Sequence, residues 1–137
     1  IISSLAALCD MIRSQTGAQV MLGCPDDTVP GIYVWPWRLE EKSELRNLPH
    51  AAKPGHAGPP AAPAGVVHFL VLVRPALTID GLALLGAARQ AMHDHPVLEA
   101  GEDRFRITVT SLDVQTLSAL FTAAAMPLTI CLSAVID

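Results

Sequence analysis

Charge is scarce in this 137-residue chain: Asp, Glu, Lys and Arg make up only 16% of it, against 51% hydrophobic residues. That much apolar character excludes intrinsic disorder for most of the chain and supplies a sizeable core. With so few charges left to cover a whole surface, and a mean hydropathy of +0.41, some of that surface is expected to meet other subunits. The charge that is present leans acidic, 13 acidic against 9 basic residues for a net charge of -4. The electrostatic footprint of a nucleic-acid or anionic-membrane binder is therefore missing. Cysteine is limited to Cys9, Cys24 and Cys131, an odd number, widely spaced and without a CxxC pair. This excludes a disulfide framework or zinc knuckle and suggests buried thiols in a reducing cytosol. Long hydrophobic runs are lacking too. The strongest, Val66 to Val73, is interrupted by His68 and falls far short of the ~20 residues that span a bilayer. The opening Ile1 to Met11 has no basic stretch and carries Asp10, so it reads as the start of a trimmed domain rather than a signal peptide. At this length one domain, 1–137, is expected.

The apolar residues that are present fall into recognisable periods. Leu5, Leu8, Cys9 and Ile12 recur at helical spacing after Ser3 or Ser4, and Gly17 supplies a stop. Ala18 to Leu22 reads as a short strand running into the turn Pro25-Asp26-Asp27. Ile32 to Leu39 is a second strand with Tyr33, Trp35 and Trp37 on one face, and Pro36, which lacks an N–H, places it at an edge or bulge. From about 42 to 65 the composition turns to Pro, Gly, Ala and His, which predicts a long flexible loop. Val66 to Arg74 is apolar on both faces, as a central strand requires. Leu82, Leu85, Ala88 and Met92 form a helical stripe after Thr78, ended by Pro96. Arg104 to Thr110 alternates Phe105, Ile107 and Val109 with Arg104, Arg106 and Thr108, so it has one wet face. Ser111 or Asp113 caps a third helix bearing Leu117, Leu120 and Phe121, and a closing strand spans Leu128 to Ile136. The order is αβββαβαβ. Too few strand links carry a helix for a doubly wound parallel sheet, so the fold class is α+β, a mixed or largely antiparallel sheet with about three helices packed on it.

Catalytic equipment is hard to find. His93-Asp94-His95 has the composition of a metal or acid–base cluster, but residues two apart on a helix point in opposed directions, and helix-end capping fits better. His68, mid-strand among apolar neighbours, reads as a satisfied core histidine. There is no GxSxG elbow and no phosphate-binding glycine loop, and Gly81 and Gly86 inside a helical pattern read as close-packing positions. Trp35 and Trp37, with Arg38, offer either a stacking platform for a ligand or, more commonly, core and subunit contact. No metal site and no cofactor is expected, and binding outranks catalysis.

Four stretches together carry a resemblance. They are the aromatic strand followed by Ser43-Glu44-Leu45-Arg46-Asn47, the proline-rich lead into Val66 to Val73, the segment from Leu85-Gly86 through Ala91-Met92-His93-Asp94-His95-Pro96-Val97-Leu98, and the closing Val135-Ile136-Asp137. In this order they resemble the N-terminal domain of the cap, or tail-terminator, proteins of phage-like contractile injection systems. The resemblance implies a non-enzymatic structural protein. Its partners would be copies of itself in a hexameric ring and the inner-tube and sheath subunits whose growth it ends, with no nucleic acid and no membrane. The chain would be cytoplasmic, assembled into a phage tail-like particle. The expected interface residues are Trp35, Trp37, Arg38, Arg46, Asn47, Arg104 and Arg106, types enriched at interfaces. The alternative is a small-molecule or metal-binding α+β module using Trp35 and Trp37 or His93 and His95.

Overall fold

The computed structural model describes residues 2–41 and 65–137. The first helix, α1 (Ile2–Thr16), turns Leu5, Leu8, Cys9 and Ile12 inward. It ends where Gly17, at φ 68°, donates its N–H to the Arg13 carbonyl (2.9 Å), a left-handed turn that glycine enters without a steric penalty. Two strands come next, β1 (Val20–Leu22) and β2 (Gly31–Glu41), then β3 (Gly65–Arg74), α2 (Ile79–Asp94), β4 (Val97–Ala100), β5 (Asp103–Thr110), α3 (Val114–Ala123) and β6 (Leu132–Ile136). The fold is α+β. The observed order differs from the expected one by β4, a four-residue strand whose two inward positions are too few to show a period. The closing strand is also shorter at its start than expected, because 127–131 approach the sheet without joining it.

The six strands form one mixed sheet in the order β1-β2-β3-β6-β5-β4. Only β1 and β2 run parallel, with Val20 opposite Ile32, although only residues 23–30 join them. So short a return is held down by side chains. The Tyr33 hydroxyl lies 3.0 Å from the Asp26 carbonyl and 2.7 Å from that of Val29, and Arg74 Nε lies 2.8 Å from Asp27 Oδ1. At the start of β2, a Cβ on Gly31 would sit 2.7 Å from the Gln19 carbonyl oxygen, so no larger residue fits there.

Each sheet face has its own core. On the inner face, Ile32, Val34, Val67, Phe69, Val71, Val73, Ile107, Ala134 and Ile136 pack against the apolar stripes of α1 and α2. On the outer face, Phe121 of α3 closes over Tyr33, Leu70 and Leu72. β3 is therefore covered on both sides, which explains its unbroken apolar run. The sheet curls around α1, which reaches both edges. Arg13 Nη2 donates to the Val20 carbonyl of β1 (3.0 Å), while Ala7 and Met11 line a groove with Leu98 and Ala100 of β4.

Several local expectations need correction. In α2 the inward row is Gly81, Leu85, Ala88 and Met92, leaving Leu82 on the helix flank, 43% exposed. Gly81 is indeed a close-packing position, with a Cβ there only 2.1 Å from the Pro75 carbonyl oxygen. Gly86, by contrast, faces open space. Thr78 caps α2 by accepting from the Gly81 N–H (3.0 Å). His95 caps its other end through its backbone N–H, to the Ala91 carbonyl (3.0 Å), rather than through its ring. Of the three thiols, Cys9 is buried and Cys131 half-buried, but Cys24 is exposed. The loop expected at about 42–65 lies outside the described residues, except for Gly65, which opens β3.

Candidate assembly surface

Among the described residues the outer face of the sheet is only partly covered, and its uncovered region is assembled by cross-strand register. β2 and β3 pair regularly until the register shifts between Pro36 and Arg38, which leaves Trp37 as the extra residue of a β-bulge. A bulge adds one residue to one strand and re-aims the residues after it. Trp37 therefore stays on the outer face with Trp35, and Arg38 joins them. From there a row crosses four strands, with Arg38 opposite His68, His68 opposite Val135 and Val135 opposite Thr108. One step further along, Arg106 exchanges backbone bonds with Asp137 (2.8 and 3.0 Å) and stands opposite Val97, while Arg104 stands opposite Glu99.

The expected residues thus divide. Trp37, Arg38, Arg104 and Arg106 share one sheet face although they come from opposite ends of the chain. Trp35 shares that face but is largely spent on packing, its ring edge-on to Phe121 at 5.7 Å and 83°. Such a T-shaped aromatic pair adds ~0.5–1.5 kcal/mol beyond area burial. That geometry is a contact beneath α3, not an open platform for a flat ligand. Arg46 and Asn47 lie outside the described residues. His93 is exposed in the last turn of α2, and among the described residues no three metal-ligating side chains gather.

Electrostatics concentrate at the β2–β3 end of the face. His68 Nε2 lies 2.9 Å from Glu40 Oε2, and Arg38 Nη2 lies 3.8 Å from Glu40 Oε1. The hydrogen bond from His68, with Arg38 nearby as the second cause, holds the Glu40 carboxyl below the usual carboxylate range. The His68 ring also stacks against Trp37 at 5.3 Å and 58°. His68 is thus a satisfied histidine, as its strand context suggests, but it sits at the border of the core. Trp37 Nε1 is buried with no hydrogen-bond acceptor among the described residues, an unmet donor at the margin of an otherwise paired cluster. At the far end Arg104 Nη2 and Glu99 Oε1 pair at 3.1 Å with both side chains well exposed, a contact worth ~0–1 kcal/mol.

Sequence reasoning placed Thr108 on a wet strand face but missed His68 and Val135 as the link across this face. These three join its two ends, and only the pairing of β6 between β3 and β5 brings them together. No local signal carries that order.

No protein-family model matches the chain, and no curated protein matches it in sequence. Solved structures do match. The sheath/tube terminator of an extracellular contractile injection system, PVC, in its extended state, superposes with a TM-score of 0.72 at 13% identity, over 99% of this chain and 54% of its own. The tube-terminating cap of the anti-feeding prophage superposes with a TM-score of 0.72 at 13% identity, over 99% of this chain and 53% of its own. The chain spans about half the length of either protein. These two structural neighbours are thus a sheath/tube terminator and a tube-terminating cap, and the α+β fold built here is the fold that they share over nearly the whole of this chain.

Proposed function

We propose that this chain is a structural terminator subunit of a contractile injection system, without enzymatic activity. It forms a ring, a hexamer by the family resemblance, on the end of the inner tube and sheath and stops their growth. The single observation that carries this reading is the fold match over 99% of the chain to both a sheath/tube terminator and a tube-terminating cap. The physical requirement on such a protein is asymmetry. A tube of identical rings grows because the top of each ring accepts the bottom of the next, so a terminator must satisfy the first match and withhold the second.

The uncovered outer sheet face supports the reading. Trp37, Arg38, Arg104 and Arg106 offer an aromatic and three guanidinium groups, the types enriched where interfaces have their energetic centres. We assign them, with Arg46 and Asn47, to docking against tube or sheath subunits. The test is electron microscopy of particles assembled with and without the protein, in a deletion strain complemented by wild type or by Arg38→Glu with Arg106→Glu. Deletion should give tubes or sheaths of unregulated length or unstable ends. The double variant should reproduce that phenotype while keeping its fold, because both side chains lie outside the apolar cores. Unchanged particle length, stability and sheath attachment on deletion would refute the capping role.

A further inference from the structure

The three helices hold to the sheet unequally. α1 and α2 each turn five buried residues toward the inner core, and Arg13 ties α1 to the Val20 carbonyl as well. The outer face is left to α3. Among the described residues, Phe121 is the one buried side chain of that ten-residue helix, with Leu117 and Leu120 half-buried beside it. Its polar ties are as few. Among the described residues, 111–126 make one hydrogen bond to the rest of the chain, Arg74 Nη2 to Met126 Sδ at 4.0 Å, and a thioether is a weak acceptor. The other bonds of the stretch are local. Asp113 caps the first turn by accepting from the Thr116 N–H (3.2 Å), and the Met126 N–H closes the last on the Phe121 carbonyl (2.9 Å). A helix sealed at both ends by its own bonds keeps those backbone groups satisfied when it leaves the surface. Its flanks, 111–113 and 124–131, belong to no helix or strand, and such segments absorb the change of direction in a hinge.

Lifting α3 uncovers Tyr33, Leu70 and Leu72 and leaves the inner core untouched. Regions with few buried apolar contacts open at lower free energy than the molecule as a whole. Opening also releases Trp35, whose ring Phe121 holds edge-on at 5.7 Å. Trp35 stands two residues before Trp37 and three before Arg38, on the strand that bulges between Pro36 and Arg38. Closure of α3 therefore fixes the strand from which these two docking residues are presented. The closed arrangement belongs to the fold that the chain shares with both solved neighbours over 99% of its length.

We infer that α3 is a lid on the outer sheet face, which opens as a unit while the inner core stays folded, and that docking through Trp37 and Arg38 requires it closed. The inference rests on the proposed docking face and names its regulation. Closure and docking are reciprocal: whatever holds α3 shut strengthens docking, and docking holds α3 shut. Amide hydrogen exchange on the chain alone tests the motion. Ile12→Val shortens a fully buried side chain of the inner core, and should speed exchange in α2 and β3 by roughly threefold to tenfold through global unfolding. The α3 amides, exchanging through their own opening, should keep their wild-type rates. If they speed up with the rest, α3 leaves only when everything unfolds, and the lid is overturned. Phe121→Ala should strip protection from α3 while α1, α2 and β3 stay protected, and a variant unfolded throughout would overturn the lid as well. Docking is read as the concentration of purified chain that half-saturates uncapped tubes from the deletion strain. Phe121→Ala should need at least tenfold more than wild type, and tube-bound wild type should exchange its α3 amides at least tenfold more slowly than free chain. A Phe121→Ala chain that docks like wild type, or α3 amides that docking does not slow, would overturn the requirement for closure. A wild type that never docks, with α3 opening on its own, would sink the terminator reading and leave the lid motion standing. A wild type that docks while its α3 amides follow the inner core would do the reverse.

Discussion

Replacing Gly81 and Gly86 by alanine, one at a time, should move stability in opposite directions although both lie in the same helix. A Cβ at Gly81 would meet the Pro75 carbonyl oxygen at 2.1 Å and Thr78 Oγ1 at 2.9 Å, against the ~3.5–4.0 Å at which nonbonded heavy atoms rest. The nearer atom is backbone, so relief requires the turn between β3 and α2 to shift by more than an ångström. That turn also supplies the cap of α2. Overpacking of this kind costs ~1–3 kcal/mol, which outweighs the helix-propensity gain of ~1 kcal/mol for alanine over glycine. At Gly86 nothing among the described residues would lie within 4 Å of a Cβ, so the propensity gain is realised nearly in full. The propensity gain is common to both, so the two variants should differ by the overpacking cost itself, ~1–3 kcal/mol. At roughly 2–8 °C per kcal/mol for a domain of this size, thermal unfolding followed by circular dichroism resolves that gap easily. A Gly81→Ala protein as stable as wild type, or two shifts of the same sign, would refute the turn geometry.

Three further outcomes are expected. The C-terminus of α3 is closed by Ala125 at φ 54°, with Ala125 N–H on the Thr122 carbonyl (3.0 Å) and Met126 N–H on that of Phe121 (2.9 Å); Ala125→Gly should raise stability by ~1 kcal/mol, and a loss in urea titration would contradict this cap. Burial pushes the Cys9 and Cys131 thiols up while Cys24 is exposed, so a thiol reagent followed by mass spectrometry should mark Cys24 first; equal labelling of Cys9 would count against the inner core. Hydrogen bonds from Thr116 hold the Asp113 carboxyl below its ordinary value, so its contribution is complete above the ordinary carboxylate range and is lost as pH falls through its folded value; the urea midpoint should drop below about pH 5, and less steeply in Asp113→Asn, which keeps a capping oxygen.

How much of this molecule was legible in its sequence depends on the range of the forces involved. Helix periods, caps and the doubly apolar β3 reflect interactions within a few residues. Leu5 to Ile12, Thr78 before α2, Asp113 before α3 and the proline in β2 could accordingly be placed from local chemistry. The two-residue period of Trp35 and Trp37 correctly put them on one face. The wet alternation of Arg104, Arg106 and Thr108 was equally plain. β4 was not, because four residues show no period, and the roles of Gly81 and Gly86 were indistinguishable, because what a missing Cβ avoids is a partner distant in space.

The sequence by itself thus determined the elements, their faces and the α+β class, all consequences of local backbone preference and of which side chains avoid water. Only the tertiary structure decided that β6 inserts between β3 and β5. That pairing joins Arg38 to Thr108 through His68 and Val135 and makes two distant wet stretches one surface. It also decided that Leu82 leaves the helical stripe for the flank while Gly81 takes the inward place, because the carbonyl of Pro75 comes too close for any side chain. Strand order and close approach are set by which distant surfaces bury one another best, a competition among long-range contacts that no window of sequence records.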